Sequence, residues 1–280
     1  MAVLFSSIVA AQERGSSRSS FSAQALDLAP LGDLKSSVLV CDDFRVSGRP
    51  FPLHPHAGFV AATYVFPDSA GRLRSRDSLG NDIVVGAGGV VWTHAGSGIV
   101  HHETPADTGE LHGLQLFVNL TSPNKSSAPK TMTLSGSEVP EWTNAAGDRV
   151  RVVVGCYEHL TSPMVPIEPF TLLDVELRRH LTFDHPQGHV TLIYVATGDL
   201  AVSSEGGARH LAQRQAIAMH GDGARLSFAA DELAHLVVMS APEIREPVLI
   251  DGPFIMSSAE QIAAARVRYR SGGMGQLPPS

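Results

Sequence analysis

Two short strings carry the residues most able to do chemistry: His54-Pro55-His56 and His101-His102-Glu103. On a β-strand, side chains alternate faces with period two. His54 and His56 therefore point the same way, as do His101 and Glu103, while His102 points to the opposite face. If the two strands are neighbours, three imidazoles and one carboxylate converge on one point. Such a set, with open positions left over, suits iron, manganese, nickel, copper or cobalt better than a closed structural zinc. A lone H-x-H is a weak signal in a chain with 13 histidines. Here the context strengthens it. Six of the 13 (His54, His56, His94, His101, His102 and His112) fall between residues 54 and 112. The two pairs lie beside Gly- and Pro-rich turns and alternating apolar runs, as where a β-barrel presents side chains at its mouth. His94 and His112 read either as groups lining that pocket or as satisfied core histidines.

The elements that must position these residues are short strands. Ser37–Cys41, Gly58–Phe66, Asp82–Val85, Val90–His94, Ile99–Glu103 and Leu111–Leu120 are apolar runs separated by Gly, Asp and Ser turns. On the last of these, His112, Leu114, Leu116 and Val118 share a face. Residues 12–23, with Ser16, Ser17, Ser19 and Ser20, read as a polar arm, and residues 121–147, rich in Ser, Pro, Asn and Gly, as an interdomain connection. Strand signals resume at Arg149–Gly155, Phe170–Leu177, His189–Ala196, Leu200–Ser203, Gln215–Met219, Ala224–Phe228 and Leu233–Ser240. The chain thus divides into two β-rich halves, expected at 1–125 and 126–280, with the spacing of duplicated barrels. The second half has no H-x-H, and His185 and His189, flanking a Pro-Gln-Gly segment, read as surface-turn residues. One helix is expected, Ile262–Tyr269, preceded by a capping box at Ser257-x-x-Glu260 or Ser258-x-x-Gln261 and stopped by Gly272-Gly273.

Composition sets the outer bounds. A chain of 280 residues with 43% apolar and 18% charged residues can bury a real core. A net charge of −7 without a basic run argues against direct nucleic-acid binding, though not against a protein partner. No run reaches the ~18 apolar residues of a membrane span. The mildly apolar N-terminus lacks a basic leader, so a cytoplasmic monomer is the expectation. Cys41 and Cys156 both sit in apolar strand-like runs and read as small buried thiols.

The motifs together resemble the pirin family. The resemblance rests on His54-Pro55-His56-x-Gly58-Phe59, Thr63-Tyr64, Trp92-x-x-Ala95-Gly96-x-Gly98-Ile99-Val100-His101-x-Glu103, and His112 through Leu120. Glu246-Pro247-Val248 and Gly252 through Met256 extend it to about residue 275. It implies an all-β bicupin: two antiparallel β-barrels of the double-stranded β-helix type, a short C-terminal helix, and one metal in the N-terminal barrel. The family's ligands fall on His54, His56, His101 and Glu103, the set that strand alternation selects independently. Iron is the usual family metal, with Mn, Ni, Cu, Co or Zn able to substitute. The sequence departs from the family at Ala57, where Arg is usual, and along Gly88 to Thr93, where the usual acid, Gln and Met are replaced by Gly89, Val91 and Thr93.

Two functions follow from that resemblance. One is a dioxygenase that cleaves quercetin or a related flavonol with dioxygen, Glu103 acting as general base and Phe59, Tyr64, Trp92 and Phe117 offering an aromatic wall. The other is a non-enzymatic metal-bearing module that regulates a protein partner, favoured slightly by the altered Ala57 and Val91, where rim chemistry has drifted while the ligands have not.

Overall fold

The computed structural model describes residues 3–15, 20–31, 37–48 and 51–278. The chain is almost entirely strands, as the alternating apolar runs predict, with one α-helix among the described residues. Two compact units form by contact. One comprises Met1–Gln12, Gln24–Val38 and Val139–Glu243; the other comprises Glu13–Ala23, Leu39–Glu138 and Ile244–Ser280. This differs from a single cut at 125/126: the N-terminal segments are shared out, and the helical C-terminal segment counts with the histidine-rich unit.

In the histidine-rich unit, Phe59–Val65 pairs antiparallel with both Val90–His94 and Leu111–Asn119. A four-stranded sheet runs in the order His54–His56, Ile99–Pro105, Leu73–Asp77, Asp82–Val85. Phe44, Val46, Val65, Leu73, Val91 and Leu111 form one buried cluster of this unit. Ala57, Val100, Phe254, Met256, Ile262 and Ala265 form another. Gly58 turns the chain between His56 and Phe59 with φ +87, a left-handed conformation that favours glycine. A Cβ there would also lie 2.0 Å from the carbonyl oxygen of Ile255.

The other unit is built on two long strands, His180–Thr197 and Gln215–Ala229, paired along most of their length. Its core holds Val152, Leu173, Val175, Ile193, Val195, Ile217, Leu236 and Val238. Each such side chain contributes about 1.5–3 kcal/mol on burial.

Several expectations change. Ser37–Cys41 is the first half of a longer strand, Val38–Val46. The expected polar arm contains parts of two strands, Val9–Gly15 and Phe21–Leu26, while Ser16, Ser17 and Ser19 lie outside the described residues. The expected connection at 121–147 is structured. Lys130–Leu134 pairs with Val90–His94, Glu141–Thr143 pairs with Arg149–Val154, and Lys125 is fully buried. Cys41 is buried, but Cys156 is exposed. Gly155, at φ +85, ends the apolar strand and moves Cys156 onto a separate two-residue strand. The helix spans Ala259–Arg270, and its box is the second of the two registers: the Ser258 hydroxyl accepts from Gln261 N, and Gln261 Oε1 accepts from Ser257 N.

Candidate metal centre

His54 and His101 are direct cross-strand partners, and His56 lies opposite Ile99 on the same pair of strands. His54 Nε2 lies 3.1 Å from His56 Nε2 and 3.1 Å from His101 Nε2. One nitrogen from each of the three rings lies within 4.8 Å of the others. The expected convergence of the three histidines is therefore present.

The chemistry of this donor set fits a metal. His54 Nδ1 lies 2.8 Å from the Pro52 carbonyl, which can only accept, so the ring proton sits there and the Nε2 lone pair faces its neighbours. Metal–imidazole bonds of about 2.0–2.1 Å place adjacent ligand nitrogens about 3 Å apart, matching the observed separations. Burial, and then the neighbouring His54, pushes His56 down to about 3. Burial, His56 and His54 also push His101 well below the ordinary histidine value. The rings of His56 and His101 are thereby kept neutral, the form a metal requires.

Glu103 lines the same cavity, but its carboxylate is engaged to one side. Thr63 Oγ1 donates to Glu103 Oε2 at 2.6 Å, and Ser75, directly opposite on the adjacent strand, also bonds it. Thr63 Oγ1 also lies 3.0 Å from Gln115 Oε1. One hydroxyl proton serves one acceptor at a time, and the nearer, charged carboxylate is the better one. Burial raises the Glu103 pKa, against the two hydroxyl bonds. His102 bonds the Phe51 carbonyl at 3.2 Å and lies outside the three-ring cluster.

The cavity over the three histidines has a volume of about 350 Å³. One wall is the face of Val38–Val46 that carries Val40, Asp42, Phe44 and Val46; Phe21, Phe51, Leu73, Leu111 and Phe117 supply most of the rest. Of the four aromatics expected in the wall, Phe117 is there. Phe59 stacks behind it, with ring centroids 4.6 Å apart and 4.9 Å from His56, while Tyr64 and Trp92 are core residues. Sequence reasoning missed Arg14 and Asp42. The Val-x-Asp-x-Phe-x-Val alternation of residues 40–46 was the available signal, obscured because Asp42-Asp43 ended the expected strand.

Three further histidines, His94, His112 and His185, are held in protein networks. His94 Nε2 lies 2.7 Å from Ser127 Oγ. His112 sits between Asp68 at 2.6 Å and Asp43 at 2.9 Å. Neither lines the cavity, so the core reading applies to both. His185 is not a surface-turn residue: it is 2% exposed on a long strand, with Nδ1 2.8 Å from Thr191 Oγ1. Ala57 and Val91 are fully buried in core clusters and do not line the cavity, which removes the argument from an altered rim.

An all-β unit whose cavity presents three converging imidazoles and a nearby carboxylate is a cupin able to hold a metal. The sequence matches the family model described as pirin over residues 15–118, and that of the pirin C-terminal cupin domain over residues 172–275. The chain belongs to the pirin family. It is 34% identical over 228 residues (78% of this chain, 77% of the relative) to a Pseudomonas aeruginosa protein named "Putative quercetin 2,3-dioxygenase". It is 31% identical over 242 residues (85% of this chain, 82% of the relative) to mouse pirin. In fold it matches the crystal structure of quercetin 2,3-dioxygenase from Acinetobacter baumannii, with TM-score 0.86 at 24% identity, over 99% of this chain and 100% of that one. The bicupin architecture expected from the motifs is the architecture of the chain.

Proposed function

We propose that this protein is a metal-dependent dioxygenase that opens the ring of quercetin or a related flavonol. The observation that carries the reading is the convergence of three histidine nitrogens at the floor of a cavity walled by phenylalanines. A relative 34% identical to this chain bears the matching name.

His54, His56 and His101 would hold one divalent transition metal, iron by family resemblance, with Glu103 as fourth ligand when its carboxylate swings from Thr63. When bound, the metal would act as a Lewis acid toward the substrate's enol oxygen and bring dioxygen to the same place. The chain's own groups do the rest. The apolar wall takes the flat rings and excludes water. Glu103 Oε accepts the proton of the enol hydroxyl, and burial suits it to the task by raising its pKa toward the working range. The Thr63 and Ser75 hydroxyls orient that carboxylate by donating to it.

The test is oxygen uptake by purified, metal-loaded protein supplied with quercetin, alongside Glu103→Gln. The amide keeps the shape and a carbonyl oxygen but cannot take the proton. The variant should retain metal in part and lose about 100-fold or more in turnover at saturating substrate, the scale of general-base catalysis. A metal-replete wild type that consumes no oxygen with any flavonol refutes the reading. Wild-type turnover by Glu103→Gln removes Glu103 as base.

A further inference from the structure

The cavity contains a second polar group that the metal centre does not use. Asp42 lies on the cavity face of Val38–Val46, between Val40 and Phe44, while its neighbours Asp43 and Arg45 face away and engage His112 and Glu110. A carboxyl among Val and Phe side chains is costly unless something bonds it. The influences on it are burial, which raises its pKa, and the charge of Arg14, which lowers it; hydrogen bonds to other described residues are not among them. Arg14 lines the same cavity and is exposed. Phe21 and Phe51, edge to face with centroids 5.0 Å apart, form the aromatic wall of the same cavity.

Aromatic walls select a flat ring, and an acceptor set among them selects a ring that carries donors. We propose that Asp42 is a specificity-determining residue that accepts hydrogen bonds from substrate hydroxyl groups other than the one that faces the metal, with Arg14 beside it. The substrate class is then a polyphenol with separate hydroxyls for the two sites: one at the metal, one or two at Asp42. This assignment rests on the flavonol reading above and narrows it. A carboxylate accepts from vicinal hydroxyls through both oxygens, so a catechol ring is the best match. Arg14 contributes charge and a planar face for ring stacking beside Asp42.

The experiment is equilibrium binding without dioxygen, so that no turnover intervenes. Metal-loaded wild type, Asp42→Asn and Asp42→Leu are titrated with quercetin, whose pendant ring carries vicinal hydroxyls, and with galangin, whose pendant ring carries none. Wild type should bind quercetin about tenfold or more tighter than galangin, the range for bonds to a charged acceptor. Asp42→Leu should bring that ratio to within about twofold of unity, and Asp42→Asn should lower it severalfold, because a neutral amide is the weaker acceptor. Metal content of each variant reports that the barrel is intact. If Asp42→Leu fails to fold, the Asp42→Asn ratio decides. Overturning results are a wild-type ratio near one, a ratio that survives both substitutions, or parallel loss of affinity for both ligands. If neither flavonol binds the wild type, the flavonol reading itself has failed and this assignment falls with it. If both bind equally, only this assignment fails.

Discussion

Replacing Lys125 with Met tests what holds the turn beneath the metal centre. Lys125 is fully buried in the short helical turn Asn124–Ser126. Its ammonium donates to the Gly58 carbonyl at 2.9 Å, to Asn119 Oδ1 at 2.5 Å and to the Ile255 carbonyl at 3.2 Å. Gly58 follows His56 by two residues, so the bond fixes the chain just after the second ligand. Methionine keeps the length of the stem and deletes the charge. Three oxygens then lose a charged donor, at about 1.5–3 kcal/mol each. Against this, the chain no longer buries an ammonium, which recovers several kcal/mol. The net expectation is a loss of roughly 2–4 kcal/mol. The chain has two tryptophans, and Trp92 belongs to the histidine-rich unit whereas Trp142 belongs to the other. Urea unfolding followed by Trp92 fluorescence in a Trp142→Phe background therefore reads this unit alone, without assuming that both units melt together. Metal affinity should fall by about tenfold alongside, as for other groups that orient ligands. A stability loss below about 1 kcal/mol would show that the three oxygens find other partners and that the clamp is not what holds the turn.

Elemental analysis should find one transition metal per chain, since the three-histidine cluster lies in the histidine-rich unit alone among the described residues. His101→Ala should strip that metal and His102→Ala should leave it, because His102 bonds the Phe51 carbonyl and is not part of the cluster; the reverse outcome would place the register one residue off. His185 supplies a pH dependence in the other unit. Burial, and then His189, pushes it down to about 4, against about 6.5 in an unfolded chain. Between those values the unfolded chain holds a proton that the folded chain refuses, so stability is complete above pH ~6.5 and falls as pH drops toward ~4. Unfolding monitored by Trp142 should show wild type losing on the order of 1–2 kcal/mol more than His185→Leu between pH 7 and 4.5, and parallel profiles would exclude the effect.

The three-histidine cluster was legible because its geometry follows from period-two alternation and one strand pairing. His54, His56 and His101 need nothing more than adjacent strands to meet, and His101 is indeed opposite His54. The helix and its cap were legible because Ser258 and Gln261 are a local signal, although the helix begins at Ala259, three residues before the expected Ile262. What was obscured depended on context that no short window contains. Lys125 sits in a polar stretch that reads as a linker, and two of the acceptors that make its burial tolerable, the carbonyls of Gly58 and Ile255, are 67 and 130 residues away. His185 reads as a turn residue because Pro186 and Gly188 surround it. The long strand absorbs them through an irregularity between Gln187 and Val190. Cys156 was misjudged because a hydrophobic run says nothing about where a positive-φ glycine ends it.

Departures from a family pattern carry functional weight only where the altered side chains reach the chemistry. Ala57 packs with Val100, Phe254 and Met256, and Val91 packs with Val65 and Leu111, so both substitutions change how the barrel is filled. The volume of such a change is felt through packing, by repacking of neighbours, and not through the charge or hydrogen bonding offered to a ligand. Among the positions that do face the cavity are Val40, Asp42, Phe44 and Val46. These four lie on one early strand, outside the motifs that identify the family. The histidine cluster and this one wall of the cavity thus come from separate parts of the chain. Residues 40–46 can vary while the three histidines stay in place, so under the proposed function that strand is where differences in specificity between this chain and its relatives should be sought.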